Sequence, residues 1–354
     1  MSDNECGSEV CDFDSGMCID ETAVVYATPA GPNTPNCSLL DPCSITSAFA
    51  VANLTRDTIK LMPGTYTANI VVTDKRVIVH GDGATLTSNV DTTFEANDRA
   101  RVRLIGLTII NDGALPAGGI GFECRNGVDV PVVELDRVVI DSTSRSFSAA
   151  GCTAKLSSCR LRVRGESFIV AGVEATTIDV DRTLMDGMGG NGVGAFNGAL
   201  IRVSNSILVG QTGSDGPLLG IGGAVIVSSS TIADSVVTCG SGTASCSGNT
   251  LDGICIDNSI IVNTAPGAPA NTLTGTKCTV GFSIVSPQQT ALPGNNQLGA
   301  DPLFIDAANG DFHLQPRSPA IDTADPGLVN SVDFDGTFRP QGAANDIGAF
   351  ESVQ

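Results

Sequence analysis

Val203-Ser204-Asn205-Ser206-Ile207-Leu208 and, further on, Val227-Ser228-Ser229-Ser230-Thr231-Ile232 carry one six-position pattern: apolar, two variable, small or β-branched, variable, apolar. The same pattern fits Leu104/Leu107/Ile109, Leu135/Val138/Ile140, Leu156/Cys159/Leu161, Val180/Thr183/Met185 and Ile256/Ser259/Ile261. Its middle members, Leu107, Val138, Cys159, Thr183, Ser206, Ser230 and Ser259, lie 31, 21, 24, 23, 24 and 29 residues apart. That spacing is too regular for chance and too short, with too few helix formers, for a helical-pair repeat. It predicts an all-β chain, a stack of β-coils that bury their apolar faces against one another. Such a solenoid has no built-in pocket, so function is to be sought on its outer faces.

Composition agrees. Of 354 residues 42% are hydrophobic, which excludes a disordered chain, while aromatics at 4% and the lack of Trp leave a core of Val, Ile, Leu and Ala. A sugar platform of stacked indoles is excluded. With 38 acidic against 19 basic residues the formal net charge is −19, so the long-range field repels polyanions and nucleic acid is not an expected partner. No apolar run is long enough to span a bilayer. No signal peptide opens the sequence, so export requires that a leader be absent from this numbering.

Twelve Cys and only two His favour disulfides over a metal centre, and with them an extracytoplasmic compartment. Spacing suggests four bridges: Cys37 with Cys43, Cys124 with Cys152, Cys239 with Cys246, and Cys255 with Cys278 one coil length away. The pairing of Cys6, Cys11, Cys18 and Cys159 stays open. Residues 1–22 read as a Cys-rich N-terminal module. Residues 23–297 read as the β-helix, with an apolar strand from Ala23 to Tyr26 and a capping helix around Ser44 to Leu54, Ser44 being its N-cap. The coil pattern breaks after Phe282, and residues 298–354 read as a closing segment.

That segment contains Ala300-Asp301-Pro302-Leu303-Phe304, Gly310-Asp311-Phe312-His313-Leu314, Ser318-Pro319-Ala320-Ile321-Asp322, Phe334-Asp335-Gly336, Arg339-Pro340 and Asp346-Ile347-Gly348-Ala349-Phe350-Glu351. It resembles the choice-of-anchor Q domain of secreted bacterial β-helix proteins. Pro42-Cys43-Ser44-Ile45 and Asp57-Thr58-Ile59-Lys60-Leu61-Met62-Pro63-Gly64-Thr65-Tyr66 are similar to the beginning of the same proteins. The resemblance implies the pectin-lyase-like fold, a single-stranded right-handed parallel β-helix, and a secreted or cell-surface location. The fold hosts lyases, polygalacturonases, epimerases, tailspikes and adhesins, so it assigns no activity, and no lyase, epimerase or polygalacturonase motif is present.

Aligning the coils on their middle residue places Asp141, Arg162 and Asp186 in one column. An arginine between two carboxylates fits a catalytic site on an acidic sugar, in a polysaccharide lyase or glycoside hydrolase. It equally fits a cross-coil ion-pair ladder. Arg160, Arg162 and Arg164 alternate and so share one face, a basic patch for an acidic glycan, while Asp136 and Asp181 hold equivalent positions two coils apart. Asp333 and Asp335, with Gly336, resemble a fragment of a calcium loop, but a full loop needs several more oxygens and a tight turn of the closing segment is the favoured reading; calcium is the one cofactor the sequence suggests, and none is certain. His80 and His313 have no partner legible in the sequence. The expected function is engagement of extracellular polysaccharide; the alternatives are an enzyme at the Asp141 column, or a structural spacer, adhesin or self-assembling subunit.

Overall fold

The computed structural model describes residues 5–12, 15–113, 119–187, 189–246, 251–264, 268–328 and 331–353. The chain is a parallel β-solenoid of short strands, as the repeat requires, and divides into two compact units: residues 1–143 with 151–154, and residues 144–150 with 155–354. In the first unit, Val24–Ala27, Thr58–Leu61, Arg76–His80, Arg101–Ile105 and Val132–Asp136 pair in that order to form a first wall. Gly64–Thr67, Ala84–Ser88, Thr108–Asn111 and Val139–Ser142 form a second. Ile70–Thr73, Thr92–Asn97 and Ile120–Arg125 form a third. Each strand alternates inward and outward, so residues in register stack along the interior: Val77 on Val102 on Val133, and Phe94 on Phe122 with ring centroids 5.1 Å apart. Full burial of each such side chain stabilises by about 1.5–3 kcal/mol.

The second unit repeats the plan. Its first wall contains Thr177–Asp181, Leu200–Ser204, Ala224–Ser228, Gly253–Asp257 and Cys278–Gly281. Its second wall contains Arg160–Val163, Leu184–Asp186, Ile207–Val209, Thr231–Ala233, Ile260–Val262 and Ile284–Ser286, and ends on Gln297–Leu298. The coil pattern therefore continues two strands past Phe282, through Ile284–Ser286 and Gln297–Leu298.

Between first and second walls the backbone enters the left-handed region: Ser158, Arg182, Asn205, Ser229, Asn258 and Phe282 have φ between 46 and 55°. Gly106 holds the equivalent place in the first unit, at φ 67°, and a Cβ there would lie 2.1 Å from Asp82 Oδ1. The residue after each bend is the middle member of the repeat. In the second unit its N–H meets a hydroxyl of the next coil: Cys159 donates to Thr183 Oγ1 (3.3 Å), Thr183 to Ser206 Oγ (3.1 Å) and Ser206 to Ser230 Oγ (3.1 Å). Ser230 then donates to Ser259 Oγ (3.2 Å) and Ser259 to Ser283 Oγ (3.1 Å). Asn296 Oδ1 accepts the Ser283 N–H at 3.0 Å and ends the row. All five hydroxyl residues are fully buried. A buried amide needs an acceptor, and this is why the repeat's middle position turns to Thr and Ser from residue 183 onward.

The helix is Ile45–Val51, with the Ser47 N–H donating to Ser44 Oγ at 3.2 Å and Ile45, Ala48 and Phe49 buried. It stops short of the expected Leu54, which is exposed, because Asn53 Oδ1 accepts from the Thr55 and Arg56 amides and fixes a turn. In the second unit the segment after Leu298 lies along the second wall. Phe312, Leu314, Ala320, Ile347, Ala349 and Phe350 form one buried cluster with Ile207, Ile260, Val262 and Ile284.

Five disulfides are present: Cys6–Cys18, Cys37–Cys43, Cys124–Cys152, Cys239–Cys278 and Cys246–Cys255. The last two correct the expected pairing of Cys239 with Cys246 and Cys255 with Cys278. Cys278 is in register with Ile254, and Cys255 with Thr279, so one residue of slip sends the two thiols to opposite faces. Parallel pairing of Val237–Thr238 with Leu273–Thr274 carries Cys239 to Cys278, while the Ser245–Asp252 bridge closes the small loop that joins Cys246 to Cys255. Cys11 and Cys159 are buried thiols outside these bridges.

Candidate functional site

Arg162 and Asp186 are register partners on the second wall of the second unit, with Arg162 Nε 3.6 Å from Asp186 Oδ2. The following position in the column is Val209, so the charge pairing ends there. Asp141 belongs to the first unit, half-buried and in register with Ile110. Arg160 and Arg164 are exposed and project with Arg162 from one face, Leu161 and Val163 being buried between them. Asp136 lies 3.5 Å from Arg137 Nε. Asp181 accepts from Ser204 Oγ at 2.8 Å and Asn205 Nδ2 at 2.9 Å, and pairs with Arg182 Nε at 3.0 Å, so it locks a corner of the coil.

The Asp333 carboxylate is buried and engaged by backbone donors: Oδ1 accepts from Asp335 and Thr337, and Oδ2 from Glu351. Asp335 Oδ2 lies 2.8 Å from His313 Nε2, and Asp311 Oδ1 lies 2.6 Å from His313 Nδ1. Asp333 thus closes a tight turn, and Asp311, His313 and Asp335 form a carboxylate–imidazole–carboxylate clasp beside it. Among the described residues no group of three or more His, Cys, Asp or Glu is placed to hold a metal ion. Burial lowers the His313 pKa, but hydrogen bonds to both carboxylates outweigh it and hold the pKa above the ordinary histidine value. The ring lies 3.9 Å from that of Phe350.

The first wall of the first unit carries a second basic patch. Arg76 and Arg101 are direct register partners, as are Ile78 and Arg103. Beyond them Val132 pairs with Arg101, and Glu134 with Arg103. These outward side chains line an open groove of about 390 Å³. Arg76 Nε lies 3.4 Å from Asp57 and Arg103 Nε 3.7 Å from Glu134, whereas Arg101 is exposed with no ion-pair partner among the described residues. Ile78 and Val132, both half-buried, give the groove an apolar floor. A second cavity of about 270 Å³ shares Arg76, Ile78 and Arg103 and runs beneath Cys11, Asp12 and Ile19 of the N-terminal module, with His80 on its wall. The sequence held a signal for this patch: Arg101-x-Arg103 repeats the alternation of Arg160-x-Arg162, and Arg76 precedes Arg101 by one coil length.

The third wall of the same unit is acidic. Glu95 and Glu123 are register partners; Arg125 Nη2 donates to Glu123 Oε2 at 2.8 Å and Arg125 Nε lies 3.9 Å from Glu95. The hydrogen bond and charge of Glu123 raise the Arg125 pKa.

No family model matches the sequence, and no curated protein matches it. Among solved structures the chain is similar to pectate lyase Pel9A, with a TM-score of 0.53 and 16% identity over 96% of this chain and 98% of that one. The PL6 family alginate lyase AlyGC gives a TM-score of 0.29 and 12% identity, covering 87% of this chain and 60% of that one. The first likeness shows the fold, the parallel β-helix found in a pectate lyase.

Proposed function

We propose that this protein engages an extracellular polysaccharide along an outer wall of its β-helix and does not cleave it. The observation that carries the reading is the open groove on the first wall, lined by Arg76, Arg101 and Arg103 over Ile78 and Val132. A groove that runs across strands and is open to solvent admits a polymer from the side, and apolar patches between charged donors suit the two characters of a sugar ring. The five disulfides support a secreted or cell-surface location, as does the choice-of-anchor Q resemblance of residues 298–354. The Arg162–Asp186 pair reads as a rung of a charge ladder, since each group already has an opposite charge beside it.

The test is electrophoresis through native gels containing polygalacturonate, alginate, dextran sulfate or dextran, alongside assays for unsaturated products and new reducing ends. Retardation by at least one polymer without product is expected. Unretarded migration in every gel overturns the binding reading, and steady product accumulation overturns the non-catalytic one.

A further inference from the structure

We propose that the first-wall groove is a site for an acidic glycan, in which Arg101 grips an oxyanion on the sugar, carboxylate or sulfate, between Arg76 and Arg103. The inference rests on the polysaccharide reading above and adds the ligand's charge and its anchor. Neighbouring coils sit about 4.8 Å apart, so Arg76 and Arg101, in direct register, bring two like charges together. Like charges directly opposite are destabilising. The rim acids relieve only the flanks: Asp57 at 3.4 Å from Arg76, and Glu134 at 3.7 Å from Arg103. The central guanidinium, on Arg101, keeps its five donors for something outside the described residues.

The rest of the chain sharpens the contrast. With a net charge of −19 the protein repels polyanions at long range, so three arginines on one patch form a local sink that only a contacting anion feels. A guanidinium fork matches a planar or tetrahedral oxyanion in two-point contact, which a hydrated lysine does not reproduce. Ile78 and Val132 then lie under the apolar face of the ring that carries the anion. The adjoining cavity past Arg76 and Arg103 is lined also by Asp12 and Asp57, so the anionic group is held in the first-wall groove and not there.

Titration calorimetry at low and moderate salt, with oligogalacturonate, dextran sulfate fragments and neutral dextran fragments, tests this on the whole chain, using Arg101→Gln and, as a charge-matched control on the exposed surface, Arg317→Gln. Expected is binding of at least one acidic probe, weaker at higher salt, reduced ten-fold or more by R101Q and unchanged by R317Q. Which acidic probe binds identifies carboxylate or sulfate as the group held. Equal loss in both variants, or wild-type affinity in R101Q, overturns the site while the polysaccharide reading stands. Tight binding of neutral dextran insensitive to R101Q does the same. Binding of no polymer at all brings down the underlying reading. Thermal melts that coincide with wild type show that R101Q is folded.

Discussion

Replacing Ser230 by Ala removes one oxygen from the buried hydroxyl row, and the structure says which group then suffers. Ser230 Oγ accepts the Ser206 N–H at 3.1 Å and donates to Ser228 O at 2.8 Å. The carbonyl of Ser228 keeps a second donor, the Asn205 N–H at 3.2 Å, so it stays satisfied. The Ser206 amide loses its acceptor in a fully buried corner. An unsatisfied buried donor costs about 1–3 kcal/mol, and the volume lost is a single oxygen, so S230A is expected to lower the unfolding free energy by about that amount. Ser230→Thr keeps the oxygen and is expected to recover most of the loss. Equilibrium urea unfolding followed by circular dichroism, disulfides intact, measures both. Hydrogen exchange adds a local readout, with the Ser206 amide losing protection before the strand amides of Ala224–Ser228. An S230A protein within about 0.3 kcal/mol of wild type, or one that S230T fails to rescue, refutes the claim that the hydroxyls complete the backbone.

Peptide mapping without reduction is expected to link Cys239 with Cys278 and Cys246 with Cys255; a peptide joining Cys239 to Cys246 contradicts the register of these coils. The His313 clasp sets a sign for pH: its folded pKa lies above the unfolded value of about 6.5, so its stabilisation is present below that value and fades as pH rises through the folded pKa. Urea midpoints measured across pH are expected to fall in that window for wild type and to lose this component in His313→Gln; identical profiles exclude the clasp. Arg339 is fully buried against Glu351 at 3.2 Å and donates to the carbonyls of Asp346 and Gly348. Arg339→Ala is therefore expected to cost about 3–5 kcal/mol in the same unfolding assay.

The fold was legible because two constraints recur together in the coils from Leu104 onward: a left-handed bend such as Asn205 or Ser229, and a buried residue directly after it. What spacing lacks is register. Cys255 and Cys278 are a coil length apart, yet the slip of one position hides each from the other. The arginine groove was visible only in part, since Arg101-x-Arg103 shows alternation and Arg76 lies a coil length before Arg101, but coil length varies from 21 to 31 residues and so does not fix that the two are direct register partners. His313 and Asp335 are 22 residues apart on an irregular segment, where no period links them. The helix end was misplaced because the Asn53 side chain, rather than the apolar pattern, decides where the turn begins.

The row of hydroxyls has a direction. From Cys159 onward each corner amide is completed by a residue that has yet to leave the ribosome when the corner itself emerges, about two dozen positions later. A coil without its successor therefore leaves the amide at its bend without this acceptor, so each corner is complete only when the next coil is in place. Asn296 supplies a side-chain carbonyl to Ser283 where a further coil would have supplied a hydroxyl. It is a terminator in the polymer chemist's sense: among the described residues the row closes on a side chain that accepts and hands no amide of its own to a further hydroxyl.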